Sequence, residues 1–299
     1  MPHFAMGADL HWVKKYDEKL RRLSLFFKTI GVSSLSSFFL KKLHGIRFVY
    51  YHGLDRRDIG VFSDHLKYFN DTYQILKVKS ENAITDFLSG DADFKNGLVI
   101  TFDDGLYSQL WAADLLNNFG IEGIFFVPSG VLQCMNRGAQ ENFAEDRAIS
   151  LNFVDPEDEV FLSLDDVRHI SQRHIIGSHT IDHTRLPGFL DNDFIFRQLL
   201  QSREDLRSQF PDLPIEHFAW VGGEAENYPA QASQLLQSAG YNLGYTTLSS
   251  LFRRGDNPLM INRTNLETRW SLDVVKFQLS GIQDIRALFR RASVRSRYS

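Results

Sequence analysis

One cysteine, Cys134, is all that the 299 residues contain. An intrachain disulfide is therefore impossible. So is a zinc cluster of thiolates, which needs several cysteines. A bound metal has to be held by His, Asp or Glu, and ten histidines are present. Long apolar runs are also missing. The best candidate, Leu23–Leu40, is broken by Lys28, Gly31 and several serines, short of the roughly 20 apolar residues a spanning helix needs. Met1–Gly7 has no basic segment leading into an apolar core, so no secretory signal is expected. Charge of one sign is not in excess: the net charge of −4 does not suggest a nucleic-acid binder, which would carry a basic surface. No histidine follows His217. With 43% hydrophobic and 23% charged residues, disordered, collagenous and disulfide-stapled classes are excluded. A cytoplasmic globular protein is expected, the lone cysteine suiting a reducing compartment.

What is present begins with basic ends. Lys14, Lys15, Lys19, Arg21 and Arg22 precede Leu25, Phe26 and Phe27 in a helical-looking stretch. It reads as a solvated helix packing its apolar face on the body, with peripheral membrane contact as the sharper alternative. Arg286, Arg290, Arg291, Arg295 and Arg297 form a basic tail, read as a frayed end or as a surface for anionic lipid or polysaccharide. Between these ends, strands alternate with helices. Strands are expected at 46–51, 73–78, 98–102, 123–127, 174–177, 218–221 and 243–246. Helices are expected at 62–70, 108–119, 164–171, 192–209 and 230–239. Such βα units predict an α/β fold with a parallel sheet. The strands are apolar runs rather than alternations, as when both faces are covered. An N-terminal helical extension (1–45), a barrel-like domain (46–270) and a C-terminal helix with a basic tail (271–299) are the expected divisions. The polar, acidic stretch 132–159 reads as an insertion near the mouth of a site, or as a surface excursion without a chemical role.

Two short motifs concentrate the chemistry. Thr101-Phe102-Asp103-Asp104-Gly105 follows a strand, at the carboxyl end where parallel α/β folds place ligands. Two adjacent carboxylates repel unless a cation or shared proton compensates. A metal would let one ligate while the other takes a proton from water. A solvated turn with a helix-capping aspartate is the plainer alternative. Further on, His179 and His183 in Gly177–His183 are spaced i, i+4. A helical turn would put both imidazoles on one face, although surface helices carry such pairs by chance. Two histidines and a carboxylate make a common open metal site.

Together, the motifs resemble those of polysaccharide deacetylases of the NodB-homology type. The first family motif is Thr-Phe-Asp-Asp-Gly, and the second is His-Ser/Thr-x-x-His. Phe48–Leu54, Gly123–Pro128, Leu162–Val167 and Gly240–Thr247 are similar to neighbouring family segments. The likeness covers roughly residues 46–265. It implies a distorted (β/α) barrel and hydrolysis of an N-acetyl group on a carbohydrate. It also implies Asp103 as general base, with Asp104, His179 and His183 holding a divalent metal, usually zinc.

Departures accompany the likeness. Where the family's third motif is expected, the sequence reads Phe218-Ala219-Trp220-Val221-Gly222-Gly223, without arginine, proline or a second tyrosine. Gly222 still offers a backbone N–H to substrate, and Trp220 a wall for a sugar ring or a core side chain. The late histidine that acts as general acid in the family has no match. Ile261-Asn262-Arg263 occupies that region. His52, Glu224 or a water are the replacements considered, His52 first, although it also suits a purely structural role at a strand end. Arg263 is assigned to the substrate-binding set, as a stand-in for the missing arginine beside Asp103 or as a surface ion pair.

The function expected is metal-dependent de-N-acetylation of a carbohydrate, a cytoplasmic, nucleotide- or lipid-linked intermediate of surface polysaccharide synthesis. Hydrolysis of another linear or cyclic amide, or sugar binding by a catalytically impaired homologue, are the alternatives.

Overall fold

The computed structural model describes residues 15–25, 44–134, 136–282 and 284. Lys14, Phe26, Phe27 and the arginines of the basic tail lie outside these residues. Among the described residues there are eight parallel strands: β1 Ile46–Tyr51, β2 Gln74–Ile75, β3 Gly97–Phe102, β4 Gly123–Val127, β5 Ile175–Ser178, β6 His217–Ala219, β7 Leu243–Thr246 and β8 Ile261–Asn265. Seven of them close a ring, because β1 pairs with β3 on one side and β8 on the other. β2 lies outside that ring, paired only to the start of β3. The fold is thus a closed parallel barrel with helices around it.

Alternation along the strands sorts side chains into lumen and shell. Val49, Tyr51, Ile100, Phe102, Phe125 and Val127 join the large cluster beneath the helices. Phe48, Val99, Phe126, Tyr245 and Ile261 form a second cluster on the other face. A barrel this narrow is filled by side chains. The filling here includes a charge, Arg263, whose guanidinium lies 4.8 Å from the Tyr50 ring centre, 5.2 Å from Phe126 and 5.9 Å from Tyr245. The sheet is buried on both faces, which is why β3 (GLVITF) and β4 (GIFFV) read as unbroken apolar runs.

Three expectations change. The stretch 73–78 yields only a two-residue strand. From Ile100 onward β4 occupies that flank of β3, and Leu76 and Val78 are buried as core rather than as ladder. β8 (INRTN) was not anticipated as a strand. Its polar residues look unlike a barrel strand until their interior partners are known. The stretch 132–159 is neither purely polar nor merely superficial. It contains the helix Arg137–Asp146, capped by Asn136. Ala144, Ile149 and Phe153 are buried in the main core.

The helix 15–25 sits against the body. Leu20 and Ser24 are buried, and Asp17 accepts hydrogen bonds from Arg269 Nε (3.0 Å) and Trp270 Nε1 (2.9 Å). No described helix is long and apolar enough to cross a membrane.

Candidate metal and proton-transfer site

Strands β1, β3, β5 and β8 deliver the site residues to one end of the barrel, the carboxyl end used by parallel barrels generally. Asp104 follows β3 with φ 79°, ahead of Gly105 at φ 65°. A left-handed aspartate is strained. Here it turns the second carboxylate away from the first, and both aspartates are buried. This overturns the solvated-turn alternative.

His179 and His183 follow β5. They meet, but not on a helix face. Thr180 (φ 66°) and His183 (φ 55°) are left-handed, and the segment is a tight turn. His179 Nε2 lies 3.4 Å and His183 Nε2 3.1 Å from Asp104 Oδ1, and the three donor atoms fall within 4.8 Å of one another. The other ring nitrogens are committed. His179 Nδ1 donates to Ala219 O at 2.8 Å and His183 Nδ1 to Arg147 O at 3.1 Å. A carbonyl can only accept, so the proton sits on Nδ1 and the Nε2 lone pairs point inward. This is the arrangement by which outer partners orient metal-binding histidines. Without a cation the Nε2 atoms can instead carry protons toward Asp104. Burial disfavours its carboxylate, but the charge of a doubly protonated His183 and hydrogen bonds from both histidines hold its pKa well below the usual range. The same pairing raises His183 against the opposing effect of burial.

Beside this trio, Asp103 is gripped by Arg263. Nη1 donates to Oδ1 at 2.6 Å and Nη2 to Oδ2 at 2.7 Å. Arg263 also donates to Thr101 Oγ1 (3.0 Å) and the Thr246 carbonyl (3.2 Å). The bidentate fork fixes the carboxylate plane. Arg263 is fully buried and paired to Asp103. Of its expected placements the stand-in beside Asp103 therefore holds, in the lumen, while a surface ion pair and a substrate contact do not.

His52, just past β1, lies 3.6 Å through Nδ1 from Glu267 Oε1, and a third of its side chain is exposed. Burial alone would lower its pKa. Glu267, with the charges of Asp104 and Asp103, outweighs that and pushes it up to about 9. Gln109 ties the two strand ends together, its Nε2 donating to His52 O (2.7 Å) and to Asp103 O.

Trp220 does not offer a face to a sugar. It is 1% exposed, wedged between Phe218 and Tyr228. Packing of its ring, the largest side chain of the core, prevails over the expected substrate role. Gly222 (φ 74°) stands in the loop after β6, its carbonyl accepting from Thr247 Oγ1 at 2.7 Å. A Cβ there would lie 2.7 Å from Asn227 Nδ2. Glu224 is held by Asn227 (2.7 Å). Glu267 and the carbonyls of Arg147 and Ala219 were missed by sequence reasoning. An acid a few residues past Arg263 was the available signal for the first, while carbonyl partners leave no trace in residue identity.

A family model described as polysaccharide deacetylase matches residues 91–244. The match spans Asp103, Asp104, His179 and His183 and excludes His52, Arg263 and Glu267. Among solved structures, the chain is similar to Streptococcus pyogenes deacetylase PplD in complex with acetate (TM-score 0.59, 16% identity, covering 80% of this chain and 99% of that one). It is also similar to IcaB from Ammonifex degensii (TM-score 0.60, 18%, covering 81% and 98%). A de-N-acetylase from Aggregatibacter actinomycetemcomitans is similar too (TM-score 0.60, 17%, covering 79% and 100%). At such identities these structures speak for the fold alone. No curated protein sequence gives a significant match.

Proposed function

The chain belongs to the polysaccharide deacetylase family, and from that premise we propose that it hydrolyses an N-acetyl group on a carbohydrate with a divalent metal, zinc, held by Asp104, His179 and His183. One observation carries this reading. A ligand trio with inward lone pairs stands beside a carboxylate oriented for proton transfer and an imidazole paired to an acid. The donor set, two imidazoles and one carboxylate, suits zinc and leaves positions for water and substrate. When bound, such a cation acts as a Lewis acid, polarising the amide carbonyl and making water easier to deprotonate.

The chain's own residues divide the remaining work. Asp103, aligned by Arg263, takes a proton as water adds to the carbonyl carbon. His52, kept protonated by Glu267, gives a proton to the nitrogen as the C–N bond breaks and its electron pair moves to nitrogen. The products are acetate and a free amine. His52 thereby supplies the acid that no histidine after His217 can supply, which weighs against an impaired sugar-binding homologue. The carrier of the sugar, nucleotide or lipid, and a cytoplasmic location with peripheral membrane contact are further parts of the proposal, the half-buried Cys134 thiol suiting a reducing compartment.

Mass spectrometry tests the reading. Zinc-loaded protein is incubated with N-acetylglucosamine oligomers and with nucleotide- and lipid-linked N-acetyl sugars. Loss of one acetyl mass, abolished by chelation and restored by zinc, is expected. No deacetylated product from any of them, with metal demonstrably bound, would sink it.

A further inference from the structure

Helix 15–25 reaches the site through a chain of charges. Leu20 and Ser24 seat it on the body, and Asp17 faces Arg269 and Trp270. Arg269 Nη1 lies 3.4 Å from Glu267 Oε2, and the other oxygen of Glu267 faces His52 Nδ1 at 3.6 Å. The segment carrying these residues is fixed on its other side. Thr268 Oγ1 donates to Gly53 O at 3.0 Å, and His65 Nε2 donates to Trp270 O at 2.7 Å.

The geometry points to Asp17 as a positioning residue for His52, acting through Arg269 and Glu267. This rests on the reading of His52 as the acid. Arg269 has two carboxylates to serve. Were it to face Glu267 alone, its charge would neutralise that carboxylate and draw it from the imidazole. Asp17 engages the Nε edge of the guanidinium, so Glu267 keeps negative charge for His52. Asp17, Arg269 and Glu267 together carry one net negative charge, which one proton on His52 balances. With asparagine at position 17 the trio is neutral, and the protonated imidazole loses support. The N-terminal helix is then part of the proton-donating machinery rather than an appendage.

The test exploits the leaving group. An amine needs the proton from His52; the nitrophenolate of 4-nitrophenyl acetate departs without one. Asp17→Asn can still accept from Trp270, so the helix stays seated. The variant should lose about tenfold in kcat on an N-acetylglucosamine oligomer, with KM and zinc content unchanged and 4-nitrophenyl acetate hydrolysis unaffected. Asp17→Glu should restore kcat. Adding Arg269→Met to Asp17→Asn should also recover it, because the competitor for Glu267 is gone. Equal losses on both substrates would mean a merely structural role and overturn the inference, as would an unaltered kcat. If Asp17→Asn does not fold, Arg269→Met alone decides: a kcat loss of the same size on both substrates overturns it. Wild-type protein inactive on the amide while zinc is bound would instead overturn the deacetylase reading, and this inference with it.

Discussion

The two halves of the site are built by opposite means. The ligand half is local: His179 and His183 share one turn, and Asp104 sits one residue from Asp103 at a strand end. Main-chain carbonyls orient both imidazoles, and three left-handed residues, Asp104, Thr180 and His183, set the angles. The proton-transfer half is long-range. Asp103 and Arg263 are 160 residues apart, and His52 and Glu267 follow the first and last strands of the barrel. Only closure of β1 against β8 brings them together. Strain and backbone geometry hold one half, and side-chain charge pairs hold the other, so the two should fail separately.

The largest effect should come from the ligand half. On the proposed function, Asp104→Ala should release the metal and lower turnover by about a thousandfold or more, since a cation held there would contribute several kcal/mol to the transition state. Metal analysis after dialysis, alongside kinetics, checks both. Retention of stoichiometric zinc by Asp104→Ala would break the division. Next, Asp103→Asn should keep its zinc and still lose about 10²–10⁴-fold in kcat, the usual scale for a removed general base. Metal loss in that variant would show that the halves are not independent.

Arg263→Met addresses the long-range half as structure. It leaves the Asp103 carboxylate buried without its partner, which costs about 3–5 kcal/mol. Equilibrium denaturation of metal-free protein should show that loss. Arg263→Lys should not recover it fully, because an ammonium cannot make the two-pronged contact. A change below about 1 kcal/mol would mean that the pair contributes little beyond orientation.

This division also explains what the sequence discloses. Asp103, Asp104, His179 and His183 were legible because their chemistry is written in consecutive or i, i+4 residues. The apolar runs of β3 and β4 disclosed the barrel for the same reason, since both faces of each strand are covered. Arg263 was placed beside Asp103 only through the family likeness, with a surface ion pair as the alternative, and the pairing holds. Its interior setting was not legible: arginine is rarely interior, and nothing near it in sequence reveals that Thr101 and three aromatic rings surround it. Trp220 was misjudged because its neighbour Tyr228 approaches from a loop whose path the sequence does not give. Glu267 was missed, being meaningful only through His52 at the other end of the chain.

Histidine titration gives the smallest and most separable effect. His174 and His217 are buried away from the site and pushed down to about 4 by burial. Gly123 N donates to His174 Nδ1 at 3.1 Å, and His217 Nδ1 lies 2.9 Å from the Tyr245 hydroxyl. The unfolded chain, with ordinary histidines near 6.5, binds more protons than the folded one between pH 6.5 and 4. Stability is therefore full above 6.5 and falls as pH drops toward 4, by roughly 2–4 kcal/mol for each histidine. His52 has the opposite sign. Its folded value of about 9 lies above 6.5, so its contribution is complete below 6.5 and lost as pH rises through 9. Between pH 6.5 and 4 the His174 and His217 contributions are lost on the acid side, away from the site, whereas the His52 contribution is lost on the alkaline side, where the raised His183 adds its own. On metal-free protein, His217→Gln should flatten the acid flank by about one proton's slope and leave the alkaline flank alone, whereas His52→Gln should do the reverse. If both substitutions change the same flank, the histidines are not segregated as the structure has them, and the separation of the barrel interior from the proton-transfer half fails with them.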